Sequence, residues 1–103
     1  MQARHGDLLL VSVGEMPDGA KQVGREAGRV VLAYGEATGH AHAIATPDVY
    51  QWDVAGQRYV QVEVEAADLT HEEHGVISLP RGMYQVIRQQ GWDLNGEVRQ
   101  VVD

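Results

Sequence analysis

The stretch Arg58-Tyr59-Val60-Gln61-Val62-Glu63-Val64-Glu65 places a valine at every second position. A period of two is that of a β-strand with one face turned to a core, since successive side chains point to opposite sides. Val60, Val62 and Val64 are expected inward, and Tyr59, Gln61, Glu63 and Glu65 outward. Working back from it, Ala55-Gly56-Gln57 is expected to be a hairpin loop, its glycine taking the positive φ angle, with a partner strand over 49–54. Pro47-Asp48 marks a turn before that strand. Working forward, 66–70 reads as a link or strand end and 76–79 as a short strand. Pro80-Arg81-Gly82 suits a type I turn, 83–90 a long strand, and 97–102 a last strand or short terminal helix.

The N-terminal half has the same texture. Residues 7–13 are apolar and β-branched between Gly6 and Gly14. Residues 15–28 form a turn and a polar connection with room for one helical turn, and 29–36 and 40–46 are further strands. About eight short strands spaced by turn signals predict an all-β fold, a small barrel or sandwich, over a single domain of residues 1–103.

Composition narrows the chemistry. The 103 residues are 44% hydrophobic and 22% charged, which fits a globular domain. Cysteine is absent, which removes thiolate metal sites, iron–sulfur clusters and thiol nucleophiles together. The net charge of −7 and the scatter of Lys and Arg make nucleic acid an unexpected partner. The longest apolar run, Leu8-Leu9-Leu10-Val11, is far short of a membrane helix of roughly 20 residues. With no h-region at the N-terminus, a cytoplasmic location is expected.

The chemistry-bearing feature is histidine. Four of the five fall in two tight pairs, Gly39-His40-Ala41-His42 and His71-Glu72-Glu73-His74-Gly75. Residues two apart on a strand share a face, so His40 and His42 are expected side by side. The second pair is spaced by three, unlike the H-E-x-x-H helix of zinc proteases, and needs a bend to present both rings to one point. Gly75 supplies it. These residues predict a metal site with nitrogen ligands from His40, His42 and His74, and His71 as the fourth; Zn²⁺ or another divalent transition metal is the expected occupant. His5, in a polar N-terminal segment, is expected to be exposed and without a role.

The blocks Gly35-Glu36-Ala37-Thr38-Gly39-His40-Ala41-His42 and His71-Glu72-Glu73-His74-Gly75-Val76-Ile77-Ser78-Leu79-Pro80-Arg81-Gly82-Met83-Tyr84-Gln85-Val86-Ile87-Arg88-Gln89 resemble those of a family of small uncharacterised bacterial and phage proteins. Gly6-Asp7-Leu8-Leu9-Leu10-Val11 also fits, so the resemblance spans most of the chain. Members commonly continue with Arg-Glu-Tyr where this chain has Gln90-Gly91-Trp92, which puts a surface or partner contact there in doubt. The resemblance implies no activity. A fainter likeness is to the cupins, β-barrels holding a metal with an H-x-H strand, a carboxylate and a distant histidine. The cupin glutamate has no counterpart, since Asp48 and Asp53 are the nearest acids and Pro47 intervenes.

Three functional expectations follow. A closed site of four histidines would bind or stabilise without doing chemistry. An open site of three would resemble the α-class carbonic anhydrases in ligand pattern and suit a zinc-dependent hydrolase or hydratase acting on an unspecified small molecule, because zinc on three imidazoles lowers the pKa of a bound water to about 7. Glu72 or Glu73 would then serve as general base and Thr38 as a hydrogen-bonding group. The third is a phage or mobile-element assembly module, a homo-oligomer joined through exposed strand edges, without a catalytic metal.

Overall fold

The computed structural model describes residues 2–34, 40–88, 91–92 and 98–99, the last two pairs by backbone alone. Ten strands follow one another: β1 (Gln2–His5), β2 (Leu8–Val13), β3 (Lys21–Val23), β4 (Val30–Tyr34), β5 (Ala41–Ile44), β6 (Val49–Val54), β7 (Gln57–Thr70), β8 (Ile77–Arg88), β9 (Gly91–Trp92) and β10 (Val98–Arg99). There is no helix among the described residues, so neither the connection at 15–28 nor the described part of 97–102 contains a helical turn; β3 and a bridge between Glu26 and Arg29 occupy the first of these.

β1 to β8 form one antiparallel sheet ordered β1-β2-β8-β7-β5-β4, and β6 and β3 branch from β7. The sheet is open, not a closed barrel: β1 and β4 end this path, and no pairing among the described residues joins them. A cavity of about 510 Å³, lined by Leu8, Val31, Leu32, Arg58, Val86 and Arg88 among others, lies between β4 and the far end of β8. The open edges separate this architecture from a closed barrel.

The β7–β8 ribbon is the spine. β7 runs for 14 residues and β8 for 12, both longer than expected. Val60 and Val62 are buried as the alternation requires, and so is Tyr59, at 8% exposure, which was expected outside. Tyr59 stands between Trp52 of β6 and Gln85 of β8 in the sheet register. The turn Ala55-Gly56 has positive φ at both residues, 50° and 84°, the I′ geometry that matches strand twist. Asp53 Oδ1 accepts the Gly56 N–H at 3.1 Å.

Residues 66–70 are not a link but the continuation of β7, and Pro80-Arg81-Gly82 is not a turn. Val62 pairs with Gly82 and Ala66 with Pro80, so Glu63, Val64 and Glu65 all face Arg81 alone. This bulge shifts the inward parity, and Ala67 and Leu69 join the same core as Val60 and Val62. Extra residues on one strand bend a ribbon and increase its twist. Arg81 Nε–H donates across the bulge to Glu63 O at 3.1 Å, and Tyr84 O–H donates to Pro80 O at 2.7 Å. Gly82 sits at φ +152°, a conformation that L side chains rarely adopt.

The bend has a long reach. Straight, the span from Ile77 to Arg88 would be about 36 Å. Yet the dipeptide Gly6-Asp7 touches both ends of the ribbon. Arg88 Nε–H donates to Asp7 Oδ2 at 2.6 Å, and the Gly6 backbone lies against the ring of His74 in the β7–β8 loop.

Because the bend depends on Gly82, Gly82→Ala is expected to lower stability by about 1–3 kcal/mol through backbone strain. Urea unfolding, with the transition slope compared between the two proteins, measures it; the added methyl itself meets nothing closer than 3.8 Å.

Candidate metal centre

Three segments meet where the ribbon closes on the β1–β2 turn. His5 ends β1 and pairs with Leu8, leaving Gly6 and Asp7 as a two-residue turn. Gly6 has φ +61°, and Asp7 is not among the positive-φ residues, the pattern of a II′ hairpin, which wants glycine first. β5 carries His42, whose neighbours Ala43 and Ile44 pair with Thr70 and Leu69 at the end of β7. The chain then enters the loop His71-Glu72-Glu73-His74-Gly75 before β8.

Four imidazoles pack together there: His5, His42, His71 and His74. All six pairs are ring neighbours, with centroids 4.5–6.3 Å apart. Four imidazoles on one tetrahedral ion, with Zn–N of about 2.0–2.1 Å, would have ring centres about 5 Å apart. His40 stands outside the quartet. It precedes β5, its ring neighbours His71 at 5.5 Å, and its Nδ1 lies 3.5 Å from Glu73 Oε1. The expected pairing of His40 and His42 on one strand face thus gives way to His42 and Ile44 as the inward pair, both fully buried.

His5 corrects the sequence reading most sharply. It is 3% exposed, not a surface residue. Its Nε2–H donates to Gly75 O at 2.7 Å, and its Nδ1 lies 2.9 Å from His42 Nδ1. The signal was present in His5-Gly6-Asp7-Leu8, a glycine turn opening an apolar run, but nothing in the spacing ties residue 5 to residue 42.

His42 is the centre, with 0% exposure. Its Nε2 faces Asp7 Oδ1 at 3.2 Å, and Asp7 is held in turn by Arg88. Burial, followed by the positive potential of His71 and His5, lowers the His42 pKa to about 4, against the opposing pull of Asp7. His5 and His71 are also lowered, burial again leading. These three shifts all favour the neutral ring, the state in which imidazole binds metals.

His71 Nδ1 accepts the Glu73 N–H at 3.0 Å, so its ring hydrogen is on Nε2. His71 Nε2 and His74 Nε2 are both buried and have no hydrogen-bond partner among the described residues. Leaving a buried polar atom unsatisfied costs about 1–3 kcal/mol. Glu72 Oε1 accepts the Ala41 N–H at 2.8 Å, a contact that depresses its pKa and ties the loop to β5. Glu73 points to solvent and His40. Thr38 lies outside the described residues.

These observations bear on fit. Buried ring nitrogens without partners and a glycine floor suit an ion bound by imidazole: a Cβ on Gly6 would come 2.6 Å from His74 Nε2 and 3.0 Å from His42 Cε1. The donor atoms do not converge as they stand, and no three His, Asp or Glu side chains among the described residues have coordinating geometry. Binding would require ring rotations within the packed quartet. No helix among the described residues is long and apolar enough to cross a membrane.

A family model described as a domain of unknown function (DUF8820) matches residues 4–89, a span holding every histidine of the chain. No curated protein and no solved structure matches it.

Two outcomes are expected here. His42 has a folded pKa near 4 against 6.5 when unfolded, so the unfolded chain binds the extra proton between those values. The stability of chelator-treated protein should be full above pH 6.5 and fall as pH drops towards 4, by at most roughly 3 kcal/mol from this residue. Thermal unfolding across that range, with His42→Gln flattening the dependence, checks the sign. Gly6→Ala should displace the His74 ring and lower the melting temperature, whereas Gly14→Ala, open within 4 Å, should leave it nearly unchanged.

Proposed function

The chain belongs to the DUF8820 family, and on that premise we propose that it is a metal-binding β protein whose buried histidine cluster holds one divalent transition ion, zinc by preference. The observation that carries this reading is the pair of buried, unpartnered nitrogens, His71 Nε2 and His74 Nε2, packed against the ring of His42. A protein interior does not keep such groups without compensation, and a cation that accepts their lone pairs supplies it. His42, His71 and His74 provide the ligands. His71 does so after moving its ring hydrogen to Nδ1 and releasing the Glu73 N–H. His40, beside His71 and Glu73, lies at the rim of the cluster.

Binding is favoured over hydrolysis by the acids at hand. A bound zinc ion would supply Lewis acidity and an activated water, but hydrolytic work needs a carboxylate free to move a proton. Glu72 is tied to Ala41, Glu73 faces solvent, and the buried Asp7 is paired with Arg88. A second reading keeps the likeness to phage proteins and makes the chain an assembly module joined through the outer edges of β1 and β4. It requires no ion, so metal content separates the two.

Elemental analysis of protein prepared without a histidine tag should find near-stoichiometric zinc or another first-row transition metal. A His71→Ala/His74→Ala variant should retain almost none while keeping its β-sheet circular dichroism. Metal-free wild type after reloading with zinc, cobalt(II) or nickel(II) would sink the proposal.

A further inference from the structure

We infer that His5 is a ligand of the same ion, and that it and His42 both coordinate through Nδ1. The inference rests on the metal-binding reading above and adds a residue and two donor atoms to it. Its basis is the geometry of one line of contacts: Gly75 O, His5, His42, Asp7.

The line has three contacts: His5 Nε2 to Gly75 O at 2.7 Å, His5 Nδ1 to His42 Nδ1 at 2.9 Å, and His42 Nε2 to Asp7 Oδ1 at 3.2 Å. The first two are at hydrogen-bond distance, and the third is an ion-pair contact that a hydrogen on His42 Nε2 would bridge. In the state that binds metals each imidazole carries a single hydrogen. The Gly75 carbonyl can only accept, which fixes the His5 hydrogen on Nε2. Asp7, a carboxylate held by Arg88 at 2.6 Å, likewise calls for the His42 hydrogen on Nε2. The two Nδ1 lone pairs are then left facing each other in a buried place.

A cation between them resolves the conflict. Two nitrogens on one tetrahedral zinc ion lie about 3.3 Å apart for bonds of about 2.0–2.1 Å, so the rings need to part by only a few tenths of an ångström. The outer groups are of the kind on which metal-bound histidines place their second N–H, a backbone carbonyl for His5 and a carboxylate within ion-pair range for His42, which fixes tautomer and orientation. Asp7 and Arg88 are therefore positioning residues for His42, and Gly75 O does the same for His5. The absence of a side chain at Gly6 lets His42 and His74 approach the turn between His5 and Asp7. Neutral imidazole donors select zinc, cobalt, nickel or copper over magnesium or calcium.

Long-range proton–nitrogen NMR of ring-labelled histidine, recorded on the full chain with and without zinc, reads the donor atoms directly. Both His5 and His42 should show protonated Nε2 and a zinc-shifted Nδ1. Affinity for cobalt(II), measured by its visible absorption, should drop by about 10–100-fold in Asp7→Asn and further in His5→Ala, while His40→Ala binds like wild type. Should His5→Ala fail to fold, the wild-type spectrum decides alone. A His5 ring whose nitrogens do not respond to zinc, coordination through its Nε2, or unchanged cobalt affinity in folded His5→Ala overturns the inference while leaving metal binding intact. A wild type that takes up neither ion overturns both.

Discussion

The bend in the β7–β8 ribbon is the constraint on which the rest of the molecule depends. A long antiparallel ribbon separates its ends, and chemistry assembled from both ends is impossible while it stays straight. Here the unequal count of residues between Val62–Ala66 and Pro80–Gly82 curls the ribbon, and the Gly6-Asp7 turn clasps both ends. Asp7 takes Arg88 at one end, and the Gly6 backbone receives His74 from the other. The sheet thereby gains much of the enclosure of a barrel without pairing its outer strands. Curvature supplied by a bulge leaves a cavity beside β4 that strand pairing would have closed.

The histidine cluster shows what this enclosure costs. Four imidazoles share one small volume, and burial lowers the pKa of His5, His42 and His71. The hydrophobic core beneath, with Leu8, Leu10, Val60, Val62, Leu69 and Leu79, tolerates such a group because it lies at the end of the sheet. Hydrogen bonds satisfy part of it, Gly75 O on His5 and Glu73 N–H on His71, and Asp7 lies within ion-pair range of His42. The nitrogens left over, His71 Nε2 and His74 Nε2, are those the proposed ion would satisfy.

Legibility in the sequence was uneven, and the reasons are local. The Val60–Val62 alternation, the 49–54 strand and the Ala55-Gly56 turn were readable because each is set by residues a few positions apart. Pro80-Arg81-Gly82 misled, since a proline and a glycine two apart suit a turn as well as a bend inside a strand, and only the pairing with β7 distinguishes them. Tyr59 departs from expectation because alternation tells which face a residue is on and not how far its neighbours there, Trp52 and Gln85, shield it. His42, His71 and His74 were legible as candidates from their pairing in sequence. His5 was not: its partners lie 37 and 70 positions away.

By itself, then, the order of residues determined the strands, the all-β class and the exclusion of thiolate ligands from any metal chemistry, because periodicity, turn residues and the lack of cysteine act over short range or over the whole composition. Only the tertiary structure decided which imidazoles share a point. A one-residue change of register reverses a strand's faces, and a bulge in one ribbon moves its ends together. Neither quantity is written at the positions it brings into contact.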